Sequence, residues 1–317
     1  MLTMMVPVAL LLLGTLTAVV GPRLLARADW PDREPVVALW VWQCVVAAVL
    51  LCCALSMTLS AAAAWQAVRG HVFGTAPRPV AEAYALGAAG PWAATTAVAL
   101  ACGGLWSLAM LVREVVRARA RRRRRRTELL VRAPLLPGEA SAGRRLTVLE
   151  GERSDAWWLP GTAPRLVITT AALRRLKGRQ LDALLAHEQG HDRARHDWLL
   201  HCSAALAGGF PQVPVFAAFR DEMHRLVELA ADDTASRRFG RLTTALALVE
   251  LNEDRGVFGP CPAPEAHVPR RVHRLLTPAD RLPPLHRLRL TAVAALVPVL
   301  PLLVALVPGL RAMGWLH

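Results

Sequence analysis

Long runs of apolar residues, separated by charged segments, account for much of the chain. Four runs are each close to or above the roughly 20 residues that a helix needs to cross a bilayer. They cover residues 4–25, 36–64, 83–112 and 291–310. The last three contain no Asp, Glu, Lys or Arg, and the first contains only Arg23, near its end. The pattern predicts four transmembrane helices, and the prolines of the fourth run predict a bend in it.

The segment between the third and fourth apolar runs has a mixed pattern. Short apolar and β-branched stretches predict strands over 146–149, 155–159 and 165–170. Helical periodicity begins near Ala171 and, after Gly178, predicts helices over 179–200, 219–239 and 241–252. The predicted fold class is therefore mainly α: a polytopic membrane protein with four transmembrane helices and one α+β domain.

Charge then orients these elements. The 317 residues are 54% hydrophobic with a formal net charge of +14, and Arg117, Arg119 and the run 121–126 directly follow the third apolar run. Arginines in such a place fix membrane orientation more often than they bind nucleic acid. The sequence predicts a multi-pass protein of the plasma membrane with both termini outside. Its predicted parts are three membrane helices in 1–116, a cytoplasmic domain in 117–289, and a fourth helix with a short external tail in 290–317.

Two further observations limit the alternatives for this organisation. No Lys or Arg precedes the first apolar run, which favours a retained span over a cleaved export signal. The six cysteines show no zinc-finger spacing, so a disulfide or cysteine-zinc framework is not expected.

The predicted helix over 179–200 contains an HExxH motif, with histidines at His187 and His191 and a glutamate at Glu188. Histidines four residues apart project from one face of a helix. Two such imidazoles can occupy adjacent corners of a zinc tetrahedron, while Glu188 is placed to take a proton from zinc-bound water. The motif predicts one Zn²⁺ per chain, with His187 and His191 as ligands and Glu188 as the catalytic base.

A third ligand is expected on the next helix, where Glu228 and Asp232 are also four residues apart. Glu228 is predicted to bind the metal, and Asp232 to orient a ligand histidine through a hydrogen bond. Glu222 is a weaker candidate for the ligand, and Asp233 competes with Asp232 for the orienting role.

Other residues near the motif have smaller predicted roles. Asp197 is expected to cap or orient the site. His196, His201 and His224 fall outside the four-residue spacing and are expected on polar faces or behind the ligands, not among them.

The strand residues Val167, Ile168 and Thr169 are predicted to bind an extended substrate by edge pairing, with an ordinary sheet strand as the alternative.

Residues 198–219 are apolar enough to suggest a further span. A single crossing would separate His191 from Glu228 by the bilayer, so the predicted metal site excludes it. Gly208, Gly209, Pro211 and Pro214 predict a turn instead. The expected structure is a helical hairpin that touches or enters the membrane surface.

Several stretches resemble the BlaR/MecR family of membrane metallopeptidases. They are the string from Leu184 to Asp197, the strand Val167–Thr170 and the segment Pro269–Leu276. The resemblance implies a gluzincin-type fold, a cytoplasmic active site and cleavage of a regulatory protein, often a transcriptional repressor. Only 311–317 follow the last apolar run, so the penicillin-binding sensor domain of the antibiotic sensors is not expected.

The predicted function is thus an integral-membrane zinc metalloendopeptidase acting on a protein substrate, a cytoplasmic regulator or repressor, in signalling. Its expected partners are this substrate and membrane lipids, with no direct nucleic-acid contact. The HtpX/CAAX type of quality-control protease, which shares HExxH and a later Glu-x-x-x-Asp, is the rival within the same chemistry. A non-catalytic signalling scaffold is disfavoured by the intact Glu188. A nucleic-acid binder using 117–126 is disfavoured because no aromatic residues interleave the arginines.

Overall fold

A computed structural model describes residues 5–69, 91–132, 146–152, 154, 156–159, 165–252, 268–277 and 281–312. The described chain is mainly helical with one small sheet. The strands are β1 (Leu146–Leu149), β2 (Ala156–Leu159) and β3 (Arg165–Thr169). The helices are α1 (Met5–Ala26), α2 (Trp30–Arg33), α3 (Pro35–Arg69), α4 (Pro91–Arg132), α5 (Thr170–Arg175), α6 (Arg179–Arg193), α7 (His196–Gly209), α8 (Pro214–Phe239), α9 (Arg241–Asn252), α10 (Val268–Leu276), α11 (Pro284–Leu296) and α12 (Val299–Ala312).

The three predicted strands form one sheet in the order β1-β3-β2. β3 runs parallel to β1, with Leu146 opposite Leu166, and antiparallel to β2, with Ala156 opposite Ile168. The β-branched strand therefore takes the centre, where both of its faces and both of its edges are covered.

This position corrects one prediction. Val167, Ile168 and Thr169 are buried, and β3 is paired on both sides, so the predicted edge pairing with substrate at these residues is wrong. The Thr169 hydroxyl accepts a hydrogen bond from the Ala172 amide at 3.3 Å and so caps α5. The strand contributes to the core and to the start of a helix.

The helix predicted over 179–200 is two helices. α6 ends at Arg193, and α7 begins at His196 after Arg195, which has left-handed backbone angles of φ 52° and ψ 38°. The helix predicted from 219 begins earlier, at Pro214, because proline is well suited to the first turn of a helix.

Among the described residues, two helices are long and apolar enough to cross a membrane: α1 over Val6–Ala26 and α3 over Pro35–Ala62. α11 and α12 meet at 43° and qualify as a third span if they are taken together. The prediction of four spans is corrected accordingly, since the described residues support two or three. Of the third predicted stretch, 83–90 lies outside the described residues, and the remainder belongs to α4. The predicted bend in the last stretch is confirmed, and it falls next to Pro298.

A single apolar cluster joins the membrane helix α3 to α8. Trp42 of α3 packs against Phe219 of α8 with ring centroids 6.3 Å apart, and the same cluster contains Val45, Val49 and Met223. α8 carries both predicted acidic residues of the metal site. The position of these carboxylates is therefore tied to the packing of an apolar span.

The connection between α7 and α8 forms the turn that the sequence predicted. Four residues, 210–213, join two helices that pack on each other. At its far end α7 lies close to α4: side chains added at Gly208 and Gly209 would meet Glu114 and Leu111. The hairpin thus packs against α4, whereas its contact with a bilayer stays a prediction.

Candidate functional site

The metal site begins with the way α6 is built. Gly178, with φ at +54°, precedes the first residue of α6, and Asp182 places a negative charge in the first turn, where the helix dipole favours it. One face of α6 is buried and contains Ala183, His187 and Gly190. Because His191 follows His187 by four residues, both imidazoles project toward the cleft between α6 and α8.

Gly190 sets how closely α6 approaches α8. A Cβ atom at this position would lie 3.3 Å from Cβ of Thr234 and 3.4 Å from Cα of Ala231, tighter than ordinary van der Waals contact. A side chain here would require Thr234 or the backbone at Ala231 to shift by a few tenths of an ångström. The close approach carries the two histidines to Glu228 on the facing helix.

Three ligand atoms from two helices meet in this cleft. His187 Nε2 lies 3.2 Å from His191 Nε2, and these two nitrogens each lie 3.4 Å from a carboxylate oxygen of Glu228. A tetrahedron with metal–ligand bonds of about 2.0–2.1 Å has edges of about 3.3–3.4 Å. The three residues therefore fit a zinc ion, and they leave the fourth corner for water or substrate, as in catalytic zinc sites.

Asp232 lies behind His187. Its Oδ1 is 3.0 Å from His187 Nδ1, and its side chain is only 2% exposed. A carboxylate here keeps the proton of the imidazole on Nδ1 and leaves Nε2 free as a metal ligand.

A residue that the sequence analysis did not assign completes this arrangement. Arg271 of α10 donates through Nε and Nη2 to the two oxygens of Asp232, at 2.8 and 2.7 Å, and its Nη1 lies 2.7 Å from Glu228 Oε2. The only sequence signal was its place in the segment 269–276, which contributed to the family resemblance. Its ion pairs cross 39 and 43 residues of chain, so no local pattern could reveal them.

The family model of peptidase family M48 matches residues 117–223 of the chain, about a third of it. The match contains His187, Glu188 and His191 and ends five residues before Glu228. No curated protein and no solved structure match. Residues 117–223 are thus similar to peptidase family M48. The protein is a membrane zinc metallopeptidase, and thus a hydrolase, with His187, His191 and Glu228 as the candidate zinc site.

The two acidic groups of the candidate zinc site, Glu228 and Asp232, are stabilised in their charged forms. Burial alone raises the pKa of Glu228 and of Asp232, but the Arg271 charge and the histidine contacts bring both well below their usual values. The same carboxylates act on His187: burial lowers its pKa, while hydrogen bonds to Asp232 and Glu228 outweigh this and raise it to about 10, so a metal ion must displace the proton on Nε2. Burial lowers the pKa of His191 to about 3 and that of His196 to about 4, so both are neutral donors or acceptors at neutral pH.

A cavity of about 920 Å³ opens beside the candidate zinc site. His187, Glu188, His191 and Glu228 line one part of it, and Leu248 and Leu251 of α9 line another. Gln43 of the membrane helix α3 also reaches this cavity, a contribution that the sequence analysis missed. Its signal was a polar side chain within an otherwise apolar run. The cavity is large enough for a short peptide segment.

The remaining predicted residues are distributed around the site. Asp197 lines the cavity, with its carboxylate 3.2 Å from His201 Nδ1, and its orienting role stays a prediction. Glu222, the weaker ligand candidate, instead pairs with Arg225. Asp233, the competitor of Asp232, pairs with Arg274 and Arg281. Burial lowers the pKa of His224, which lies outside the group of ligand atoms.

Proposed function

We propose that the protein is an endopeptidase of the plasma membrane that cleaves a cytoplasmic regulatory protein. One observation carries the proposal: Glu188 and the three candidate zinc ligands line the same peptide-sized cavity. A buried metal site without an adjoining cavity would favour a structural role, and a cavity without Glu188 would lack a base.

In this proposal His187, His191 and Glu228 would hold the zinc ion. Bound zinc would supply a Lewis acid for the scissile carbonyl and would make a bound water more acidic. Glu188, the residue next to His187, would act as the base that takes the proton of the attacking water and passes it to the leaving amine. The motif spacing supports this division of roles, since Glu188 lies roughly 100° around the helix axis from His187, beside the face that carries the two ligand histidines and not on it.

The substrate is proposed to bind along β2 instead of β3. Ala156 at the start of β2 lines the cavity, and β2 packs near α6. A peptide that lies in the cavity beside β2 would run past Glu188 and the metal ligands.

The topology proposed from the sequence places this cavity at the inner membrane face. Exposed arginines continue α4 beyond its apolar half, among them Arg117, Arg119 and Arg123. Arginines beside apolar segments favour the cytoplasmic side, which supports a cytoplasmic position for 117–289. The packing of α8 on α3 and of α7 on α4 supports a domain that sits against the lipid-facing helices.

The finer assignment to BlaR/MecR-type signalling rests on the sequence resemblance. It implies a repressor or similar regulator as the substrate, and it distinguishes the protein from a quality-control protease of broad specificity. A regulator would be one defined target, whereas a quality-control protease would act on many misfolded chains.

The test compares cells that express the wild-type protein, Glu188→Gln or Glu250→Gln. Glu250 lies on the neighbouring helix α9 outside the cavity lining, so its substitution controls for loss of a carboxylate. Proteomics of the three strains is expected to show one intact regulator that accumulates with Glu188→Gln only. Purified Glu188→Gln protein should retain zinc.

The outcomes separate the rival functions. Undiminished cleavage with Glu188→Gln would refute the assigned base. Zinc content with no cleaved target in any strain would favour the non-catalytic scaffold. Accumulation of many unrelated membrane proteins would favour quality control over signalling.

A further inference from the structure

The break between α6 and α7 changes which residues can reach His191. In one continuous helix, residues five apart are separated by roughly 140° around the axis, so His191 and His196 would point in different directions. Arg195 instead adopts left-handed backbone angles, the only non-glycine residue with positive φ in the described chain. This conformation costs a residue with a Cβ atom free energy, and such conformations concentrate at functional sites.

The break turns His196 back toward the metal site. Its Nδ1 lies 3.0 Å from His191 Nδ1, and the two rings meet edge to face with centroids 5.0 Å apart. His196 is 4% exposed and is the first residue of α7. Two imidazole nitrogens at this distance form a hydrogen bond only if one carries a proton and the other does not.

The direction of this hydrogen bond follows from the metal site. His191 uses Nε2 toward His187 and Glu228, so as a zinc ligand its proton resides on Nδ1. His191 Nδ1–H must then donate, and His196 Nδ1 must accept. We infer that His196 is the positioning residue for the ligand His191, through this hydrogen bond and by way of the backbone break at Arg195.

The two ligand histidines thus have different partners. Asp232 accepts from Nδ1 of His187, and the neutral ring of His196 accepts from Nδ1 of His191. A neutral acceptor fixes the orientation and tautomer of the ring without adding a second negative charge behind the metal. With Arg271 already neutralising Asp232, this choice limits the number of buried charges that the site must pair.

The inference rests on the proposed zinc site, and its test is zinc affinity, measured on the detergent-solubilised full chain by competition with a chromogenic chelator. His196→Phe keeps the ring but removes the acceptor. His196→Asn loses the ring but places an acceptor oxygen near the position of Nδ1. Partners of ligand histidines typically contribute about 10–100-fold to metal affinity, so His196→Phe should weaken zinc binding by about that factor. His196→Asn should remain close to wild type.

The ranking of the variants by zinc affinity distinguishes a positioning role of His196 from a packing role. If His196 only filled space, His196→Phe would bind zinc better than His196→Asn, which would overturn the inference. His201→Phe is the matched control, because His201 lies on the same helix but faces Asp197. If His196→Phe does not fold, His196→Gln is used in its place. The longer glutamine side chain carries its acceptor oxygen beyond the position of Nδ1, so this variant should also bind zinc more weakly than His196→Asn. Equal affinities of the Asn and Gln variants would then contradict the inference. Failure of the wild type itself to bind zinc would refute the metal site as a whole.

Discussion

Arg271 forms a two-point ion pair with Asp232, and the third nitrogen of the same guanidinium reaches the candidate zinc ligand Glu228. One cation thereby fixes two carboxylates one helical turn apart on α8. The planar fork of arginine suits this geometry, whereas a lysine ammonium is a single point charge. The short helix α10, outside the segment matched by the family model, is in this way connected to the metal site.

Replacement of Arg271 should affect folding and metal binding together. Arg271→Ala leaves Asp232 and Glu228 without their cation, and loss of one partner of a buried pair costs about 3–5 kcal/mol. We expect a lower melting temperature of the metal-free protein and weaker zinc binding. Arg271→Lys should fall between the alanine variant and the wild type, since it can pair with only one carboxylate at a time.

The control for Arg271 is its neighbour. Arg270 pairs with Asp32 and its side chain is 65% exposed, so Arg270→Ala should change the free energy of unfolding by no more than about 1 kcal/mol. Equal effects of the two alanine variants would show that Arg271 acts only through the general charge of α10.

Zinc affinity can decide between the two candidate third ligands on α8. Glu228→Gln removes a charged ligand oxygen beside both histidines, so zinc binding should weaken strongly and peptidase activity should be lost. Glu222→Gln removes the same charge, but at a residue paired with Arg225, and should leave zinc binding unchanged. A larger effect at Glu222 would contradict the arrangement of ligands described above. Removal of zinc with a chelator should abolish activity, and added zinc should restore it.

The close contact at Gly190 gives a different kind of prediction. Gly190→Ala gains up to about 1 kcal/mol of helix propensity, but the added methyl group overpacks the contact with Thr234 and Ala231 at a cost of about 1–3 kcal/mol. We expect a small change in melting temperature and a clear loss of zinc affinity, because α6 and α8 must move apart. Gly103→Ala is the control, since nothing lies within 4 Å of its added Cβ. Unchanged zinc affinity of Gly190→Ala would show that the cleft tolerates a wider spacing.

Acid sensitivity should depend on Asp32, in the short helix α2 between α1 and α3. Burial alone raises its pKa, but the ion pairs with Arg225 and Arg270 lower it below the usual value. A lowered pKa in the folded state stabilises the protein above the unfolded-state value of about 3.9, and this stabilisation is lost as the pH falls through the folded-state pKa. Asp32→Asn should therefore lower the melting temperature near neutral pH, and its difference from wild type should shrink below about pH 4.

Asp221→Asn provides the comparison for Asp32. The Asp221 side chain is 66% exposed and pairs with the adjacent Arg220, so its replacement should alter the melting temperature little at any pH. A pH-independent difference between Asp32→Asn and wild type would contradict the role of the Asp32 charge.

Local patterns in the sequence determined most of the secondary structure and the main residues of the metal site. The four-residue spacing of His187 and His191 is a property of one helix, and it carries over to the structure because helix geometry is fixed. The β-branched stretch 165–169 is a strand for a similarly local reason, and proline predicted the bend between α11 and α12. Glu228 was also identified from the sequence, since its spacing from Asp232 places both on one face of α8.

Only the tertiary structure decided which distant residues meet. Arg271 reaches α8 from α10, Gln43 reaches the cavity from a membrane helix, and β3 lies between two partners instead of at an edge. The backbone break at Arg195 brings His196 to His191. No proline or glycine lies at the break, so the sequence pattern does not predict it. Such contacts arise because side-chain packing and charge pairing are satisfied across the whole fold, and residues far apart in the chain leave no periodic pattern from which the contacts can be read.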